Sequence, residues 1–252
     1  MREEELEERD EKGYSVFDAL SHVHAPPGGS LATPHSFVCM DGRTYWVKAQ
    51  AQHGLAVELI AGRLAARVAA GPPARVIRVT AEATPSDNSA THLEGVNVGT
   101  EDVTGAINGK DLAAMNVTSV DPKQVDAEAR ARVVAYQTWV GVGDTQCMIN
   151  LQNGVIVSID HGELFSAVDR PTDPALTVVD LPGLPHNHGA ESQLVAAACG
   201  QIESVSDDEL LDAVACIPTG AQWRSERPRR LKIAQWLAHR RGKVREVLKG
   251  WK

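Results

Sequence analysis

FVCMDGRTYWVK (residues 37–48), followed by GLAVELIAGRLAARVAAGPP (54–73), decides the fold class. Two β-rich runs flank Asp41-Gly42, the strongest short hairpin signal there is, because the turn needs a backbone that glycine and aspartate adopt most readily. On the second run Thr44, Trp46 and Lys48 share a face, since side chains alternate along a strand. Residues 54–70 contain good helix formers and stop at Gly71-Pro72-Pro73, which cannot continue a helix. A hairpin followed by a helix is therefore expected, with Lys48 at the end of the hairpin.

Working outward, Val76, Ile77 and Val79 mark another strand over 74–79. Residues 81–104 are polar and rich in Thr, Asn and Gly, which reads as loops crossing from one lobe to the other. Helical patterning is expected over 126–140, a short apolar strand over 155–159 and a Pro-rich loop over 170–188. Helices near 190–199, 207–216 and 229–248 close the chain. Strands gather in the first third and helices in the last, which implies an α+β fold of two lobes. The boundaries drawn are an acidic segment 1–23, a β-rich N-lobe 24–104 and a helical C-lobe 105–252.

The 252 residues are ample for a hydrophobic core without disulfides or a structural metal. The four cysteines are far apart, with no CxxC pair, and read as buried reduced thiols. No apolar run approaches the roughly 20 residues that span a bilayer. The first twelve residues, with seven acids and three bases, are the opposite of a basic-then-apolar leader, so a cytoplasmic protein with no membrane partner is expected. This opening stretch reads as a frayed helix, broken by the prolines and glycines of 24–30. The net charge of −8 conceals an asymmetry: residues 222–252 carry +9, and the first 221 carry −17.

The sequence lacks H-E-x-x-H, G-x-S-x-G and G-x-G-x-x-G. Residues 105–111 resemble a phosphate-binding Walker loop only superficially, because the first glycine is one position late and Asp111 replaces the metal-holding hydroxyl. What remains is an ordered set: Gly28-Gly29-Ser30 before a strand, Lys48 ending a strand, Glu58 on the next helix, Asp144 after an apolar run, and Asp160 after an apolar strand. Kinase-type phosphotransferases carry their parts in this order. Phosphoryl transfer asks little covalent chemistry of side chains and much positioning and charge neutralisation. A glycine loop admits phosphates to backbone N–H groups, a strand lysine reaches them and a helix carboxylate holds the lysine. One aspartate orients the acceptor hydroxyl and another binds metal.

Helical geometry sharpens the reading of Glu58. At about 100° per residue, Arg67 lies roughly 180° and Arg63 roughly 140° away, so the arginines mark a solvated face with Glu58 opposite. Leu55, Ala65 and Ala69 are its angular neighbours. A carboxylate in an apolar arc needs a cation, and Lys48 is the candidate. Taken singly, Lys48 also reads as a solvated strand end, Asp160 as a strand-end turn and Asp144 as a glycine-rich turn. The order of the five parts favours the site.

These residues resemble the HipA-like kinases, specifically the short bacterial and phage-type members. The likeness runs through Gly28-Gly29-Ser30, Asp41-Gly42-Arg43, Trp46-Val47-Lys48, Glu58-Leu59, Trp139-Val140-Gly141, Gly143-Asp144 and Ile159-Asp160-His161-Gly162. The closing segment, with Ile217-Pro218, also resembles the family's tail. The resemblance implies a two-lobed protein-kinase-like fold, ATP with Mg²⁺, and transfer to a Ser/Thr hydroxyl of a protein. It matches Gly28, Gly29 and Ser30 to the phosphate loop, Lys48 and Glu58 to the phosphate-binding pair, Asp144 to the catalytic base and Asp160 to the metal. His161 stands where other kinases have Phe. One departure concerns the second metal ligand, an Asn expected five residues after the catalytic Asp. Ile149 stands there; Asn150 is one position late, and Gln146 is the other candidate.

Two further readings follow from that departure and from the motif order: a pseudokinase that binds a protein partner, and a small-molecule or lipid kinase. For some members the resemblance also suggests a toxin restrained by an antitoxin-like protein. His186-Asn187-His188 lacks a third metal ligand at sensible spacing, and His22, His24 and His35 are scattered around the glycine loop. The basic tail is the one nucleic-acid-like feature. Leu231, Ile233, Trp236, Leu237, Val244 and Leu248 recur at helical spacing, however, so a helix packed on the acidic body is the favoured reading and nucleic acid the lesser one.

Overall fold

The computed structural model describes residues 1–24, 34–48, 54–87, 89–108, 125–141, 147–159, 161, 164–165, 168 and 192–249. Its elements in chain order are α1 (Glu3–Asp10), β1 (Val16–His24), β2 (His35–Cys39), β3 (Thr44–Lys48), α2 (Leu55–Arg67), β4 (Ala74–Val79), β5 (Gly95–Glu101), β6 (Ala106–Asn108) and α3 (Ala127–Val140). There follow β7 (Cys147–Asn150), β8 (Ile156–Ser158), α4 (Ser192–Glu203), α5 (Asp207–Val214), α6 (Arg227–Arg241) and α7 (Val244–Leu248). The expected α+β arrangement of two lobes is present: a β-barrel crossed by α2, and a helical part built around α3.

The expected hairpin forms, with Phe37 opposite Tyr45 and Val38 opposite Thr44. Gly42 takes a positive φ of 78°, and Asp41 Oδ1 accepts from Arg43 N at 3.0 Å. The sheet closes as a barrel in the order β1-β2-β3-β5-β4, with β1 parallel to β4 across the seam. Phe37, Tyr45, Val47, Ile77 and Val79 fill it. The first strand starts at Val16, inside the segment read as an acidic leader to the N-lobe.

Residues 81–104 are not only loops. They contain β5, which sits between β3 and β4. Its two glycines and polar residues conceal a strand that works by close approach: a Cβ at Gly99 would come within 2.6 Å of Ile77 Cγ1 and 3.1 Å of Tyr45 Cβ. Residues 106–108 and 147–150, which carry no strand signal of their own, join β8 in a three-stranded antiparallel sheet.

Helix α2 is held by the helical lobe at its N-terminus and through Arg63. Its first two N–H groups, which no helix can satisfy internally, donate to Gln222 O at 3.0 Å and Trp223 O at 3.3 Å. Arg63 is not on a solvated face: its Nη1 donates to Ala213 O at 3.0 Å and Ala215 O at 2.7 Å, while Arg67 is exposed as expected. Helix α3 is buried on nearly all sides, including the polar residues Arg130, Gln137 and Thr138. That explains why it shows no amphipathic stripe.

The acidic start is a docked helix rather than a frayed one. Leu6 is fully buried, Arg9 bridges Asp208 at 2.6 Å and Asp212 at 2.8 Å on α5, and Asp10 receives Arg230 of α6 at 2.9 and 2.7 Å. The single basic helix expected over 229–248 is two, α6 and α7, parted at Gly242-Lys243. Their cations meet acids elsewhere in the chain: Arg227 meets Glu7 at 3.0 Å, Arg241 meets Asp207 at 2.7 Å and Arg245 meets Glu203 at 2.7 Å. With Arg230, four cations of the basic segment are thus matched by acids of the same chain. No helix of the described residues is long and apolar enough to cross a membrane.

Candidate active site

Lys48 ends β3 and faces α2, where Glu58 lies one turn into the helix. Lys48 Nζ is 3.9 Å from Glu58 Oε2; the Glu58 side chain is 2% exposed and that of Lys48 21%. Oε2 has no hydrogen-bond partner among the described residues. The pair is thus an ion pair in contact but short of a hydrogen bond, with its acid buried and its base reaching towards water. Sequence geometry had placed Glu58 in the apolar arc, and the structure puts it there.

Tyr136 lies beside the pair, and His161, Ser158 and Gln137 form a connected group that starts from it. Tyr136 of α3, fully buried, donates its hydroxyl to Ala61 O of α2 at 2.8 Å and so ties the two helices together. Burial first, then the nearby Glu58 carboxylate, pushes the Tyr136 phenol well above its ordinary value, so it stays a neutral donor. The ring of His161 packs edge-on to Tyr136 at 5.6 Å between centroids. His161 Nε2 lies 3.0 Å from Ser158 Oγ, which accepts from Gln137 Nε2 at 3.0 Å. The signal for Gln137 and Ser158 lay in their setting: polar residues inside apolar runs have to pair with one another.

At the barrel's edge Trp46 Nε1 donates to Asp102 Oδ1 at 2.8 Å, and Asp102 N donates to Thr44 O at 2.8 Å. The chain that leaves β5 for the helical lobe therefore runs beside β3, on the face that carries Lys48.

Gly28, Gly29, Ser30, Asp144, Gln146 and Asp160 lie outside the described residues, as do residues 170–188 and 109–124. Their described flanks are informative. His24, before the glycine stretch, pairs with Ser36 after it, on neighbouring strands. Gly141, with φ of 70°, caps α3 three residues before Asp144. Cys147, directly after Gln146, is paired with Ser158, two residues before Asp160. The segments holding Asp144 and Asp160 thus join the same end of the β7–β8 ladder.

Asn150 sits at the opposite end of that ladder, about 10 Å along β7 from Cys147 at roughly 3.3 Å per residue. Its Oδ1 accepts from Gln152 N at 2.9 Å and Asn153 N at 3.4 Å, and its Nδ2 donates to Thr104 O at 3.0 Å. The amide of this residue, one of the two candidates for the second metal ligand, organises the β7–β8 turn, as asparagine does where a turn needs a local acceptor.

Among the described residues no group of three His, Cys, Asp or Glu side chains is arranged to hold a metal. His22 and His35, two of the histidines noted above as scattered, lie 3.0 Å apart through Nε2 and Nδ1, and His35 packs on His92. Burial, reinforced by His22 and His92, lowers the His35 pKa and keeps the ring neutral. The thiols of Cys147 and Cys199 are pushed up to about 11 and that of Cys39 to about 12 by burial, as expected of inert reduced cysteines.

No protein-family model matches the chain, and no curated protein matches it. Solved structures that align with it are protein kinases. The Helicobacter pylori proinflammatory kinase CtkA is 11% identical, with 92% of this chain and 96% of that one covered and a TM-score of 0.47. The Golgi casein kinase, in a structure with Mn/ADP bound, is 10% identical, with 97% and 75% covered and a TM-score of 0.42. The chemistry of the site rests on the geometry above rather than on these likenesses.

Proposed function

We propose that the protein is an ATP- and Mg²⁺-dependent phosphotransferase of the HipA-like type, acting on a Ser/Thr hydroxyl of a protein. The observation that carries this reading is the Lys48–Glu58 pair: a strand-end lysine against a carboxylate buried on the next helix, between a barrel and a helical lobe. A buried acid held to one cation stabilises little by itself, so its natural employment is to hold that cation in place. Lys48 then reaches the phosphates of ATP above the Gly28-Gly29-Ser30 stretch. Asp144 orients the acceptor hydroxyl and takes its proton as the oxygen bonds to the γ-phosphorus and the bond to ADP breaks. Asp160 and Gln146 are the residues to hold Mg²⁺, which supplies charge neutralisation on the phosphates when bound. Tyr136 and His161 position α2 and the segment after β8 against each other.

The test is titration with ATP with and without Mg²⁺, then transfer of labelled γ-phosphate to the protein itself and to lysate. Mg²⁺-dependent binding is expected, with transfer removed by Asp144→Ala and by Asp160→Ala. Absence of any nucleotide binding overturns the reading. Asn150 favours a second reading, because its amide is engaged in a turn. With the second metal position weakened, the chain binds nucleotide and acts as a pseudokinase through a protein partner. Binding without transfer, together with a biological effect that survives Asp144→Ala, selects that reading.

A further inference from the structure

Away from Lys48 and Glu58, a cleft of about 300 Å³ opens between the segment joining α1 to β1, the outer side of α2, strand β4 and the chain just after α5. Its apolar floor includes Leu59 and Val76, and Tyr14 and Ser15 stand at its side. Two arginines, Arg63 and Arg75, also line it. Among the described residues Arg63 meets only backbone carbonyls, through Nη1. Asp212, an acid whose charge acts on Arg63, is itself bound by Arg9 at 2.8 Å. Neither Arg63 nor Arg75 has a carboxylate within ion-pair distance among the described residues, whereas Arg227 and Arg230 share Asp10 at 3.4 and 2.7 Å.

Burial pulls the Arg63 guanidinium down to about 10, and the positive charge of Arg75 acts in the same direction. An anion in the cleft would relieve both effects. Two guanidinium groups without a carboxylate partner among the described residues match a dianion better than a monoanion, and a phosphate ester carries about −1.5 to −2 near neutral pH. Guanidinium forks also suit phosphate oxygens in pairs. The volume lies at the small end of the range for small-molecule sites, about 300–1,000 Å³.

We propose that this cleft is a phosphomonoester site in which Arg63 and Arg75 grip the phosphate and the apolar floor takes the group that bears it. The site stands independently of the phosphotransferase reading. Because Leu59 and Arg63 ride on the helix that carries Glu58, control of transfer through the cleft would rest on that reading, whereas binding does not.

The experiment is calorimetric titration of the full chain with phenyl phosphate, and with a short phosphoserine peptide beside its unphosphorylated form. Variants are Arg75→Gln, Arg63→Gln and, as a control on the same strand, Arg78→Gln, whose partner is Asp18. Binding is expected to weaken at least tenfold in Arg75→Gln and to hold in Arg78→Gln. Arg75 is exposed, so its variant reads the site even where Arg63→Gln, which loses two carbonyl contacts, folds poorly. Tighter binding of phenyl phosphate identifies a free phosphoester as the ligand; tighter binding of the phosphopeptide identifies a phosphorylated segment. No binding of either probe at millimolar concentration, equal binding of the unphosphorylated peptide, or equal loss in Arg78→Gln overturns the proposal.

Discussion

Lys48→Met and Glu58→Gln, which break the same ion pair from its two sides, should differ sharply in their effect on stability. At 3.9 Å the attraction between the two charges is about 4 kcal/mol in an effective dielectric of about 20. Removing the lysine forfeits that attraction and leaves a carboxylate that is 1% exposed with no other cation in view among the described residues. Such orphaned charges cost about 3–5 kcal/mol. Removing the acid's charge leaves a neutral amide of the same shape in the apolar pocket and a lysine that still reaches solvent. Its cost should stay within about 1 kcal/mol, because the attraction lost is offset by the carboxylate's desolvation, itself several kcal/mol. The double variant should recover most of the loss, giving a coupling of about 3 kcal/mol. Urea unfolding of the four proteins near neutral pH, followed by tryptophan fluorescence, measures the cycle. Equal costs for the two single variants, or a Lys48→Met cost below about 1 kcal/mol, would refute the reasoning that the pair persists for positioning rather than for stability.

Other consequences can be checked with the same unfolding measurement. Asp10→Asn should cost roughly 2–3 kcal/mol, less than a fully stripped pair, because Arg230 keeps Ser225 O and Val214 O as acceptors. Burial tends to raise the Asp10 pKa, but hydrogen bonds from Arg230 and Cys216 N hold it below the ordinary 3.8. Its contribution is therefore complete above about pH 4 and lost as pH falls through the folded value, so the wild-type advantage over Asp10→Asn should shrink in acid. Leu6→Ala should lose about 2–5 kcal/mol, a core-sized penalty from a helix that reads in the sequence as frayed. Gly62→Ala should destabilise by about 1–3 kcal/mol despite better helix propensity, since the added methyl overlaps Ala74 Cβ and meets Ala74 N at 3.2 Å.

The hairpin, α2 and β4 were legible because local chemistry decides them: an Asp-Gly turn, a Gly-Pro-Pro stop, and periods that switch from two to near four. Glu58 was legible for the same reason, since an acid in an apolar arc is a local contradiction that names its own solution. Strand β5 was not, because its fitness lies in what surrounds it; Gly99 is there to admit Ile77 and Tyr45, and no property of 95–101 alone says so. Arg63 misled because helical angle separates faces but cannot say which faces a second lobe will cover. Asn150 was open to more than one reading, because a one-residue offset can be absorbed by a bulge or can start a turn; its amide is engaged in the turn after β7. The docking of α1 depends on a partner more than two hundred residues distant.

That last distance sets an order of events in the making of the molecule. Asp10 and Arg230 are 220 positions apart. At about 5–20 residues per second, roughly 10–45 s of synthesis separate the two groups. During that interval residues 3–10 expose Leu6 and a row of acids with nothing to receive them, while the barrel, whose strands all lie before residue 102, can already close. The acidic helix is then a late latch, set only when the basic segment emerges. Refolding should accordingly show an early barrel phase and a later one that salt slows, since the charges that guide the latch home are screened at high ionic strength.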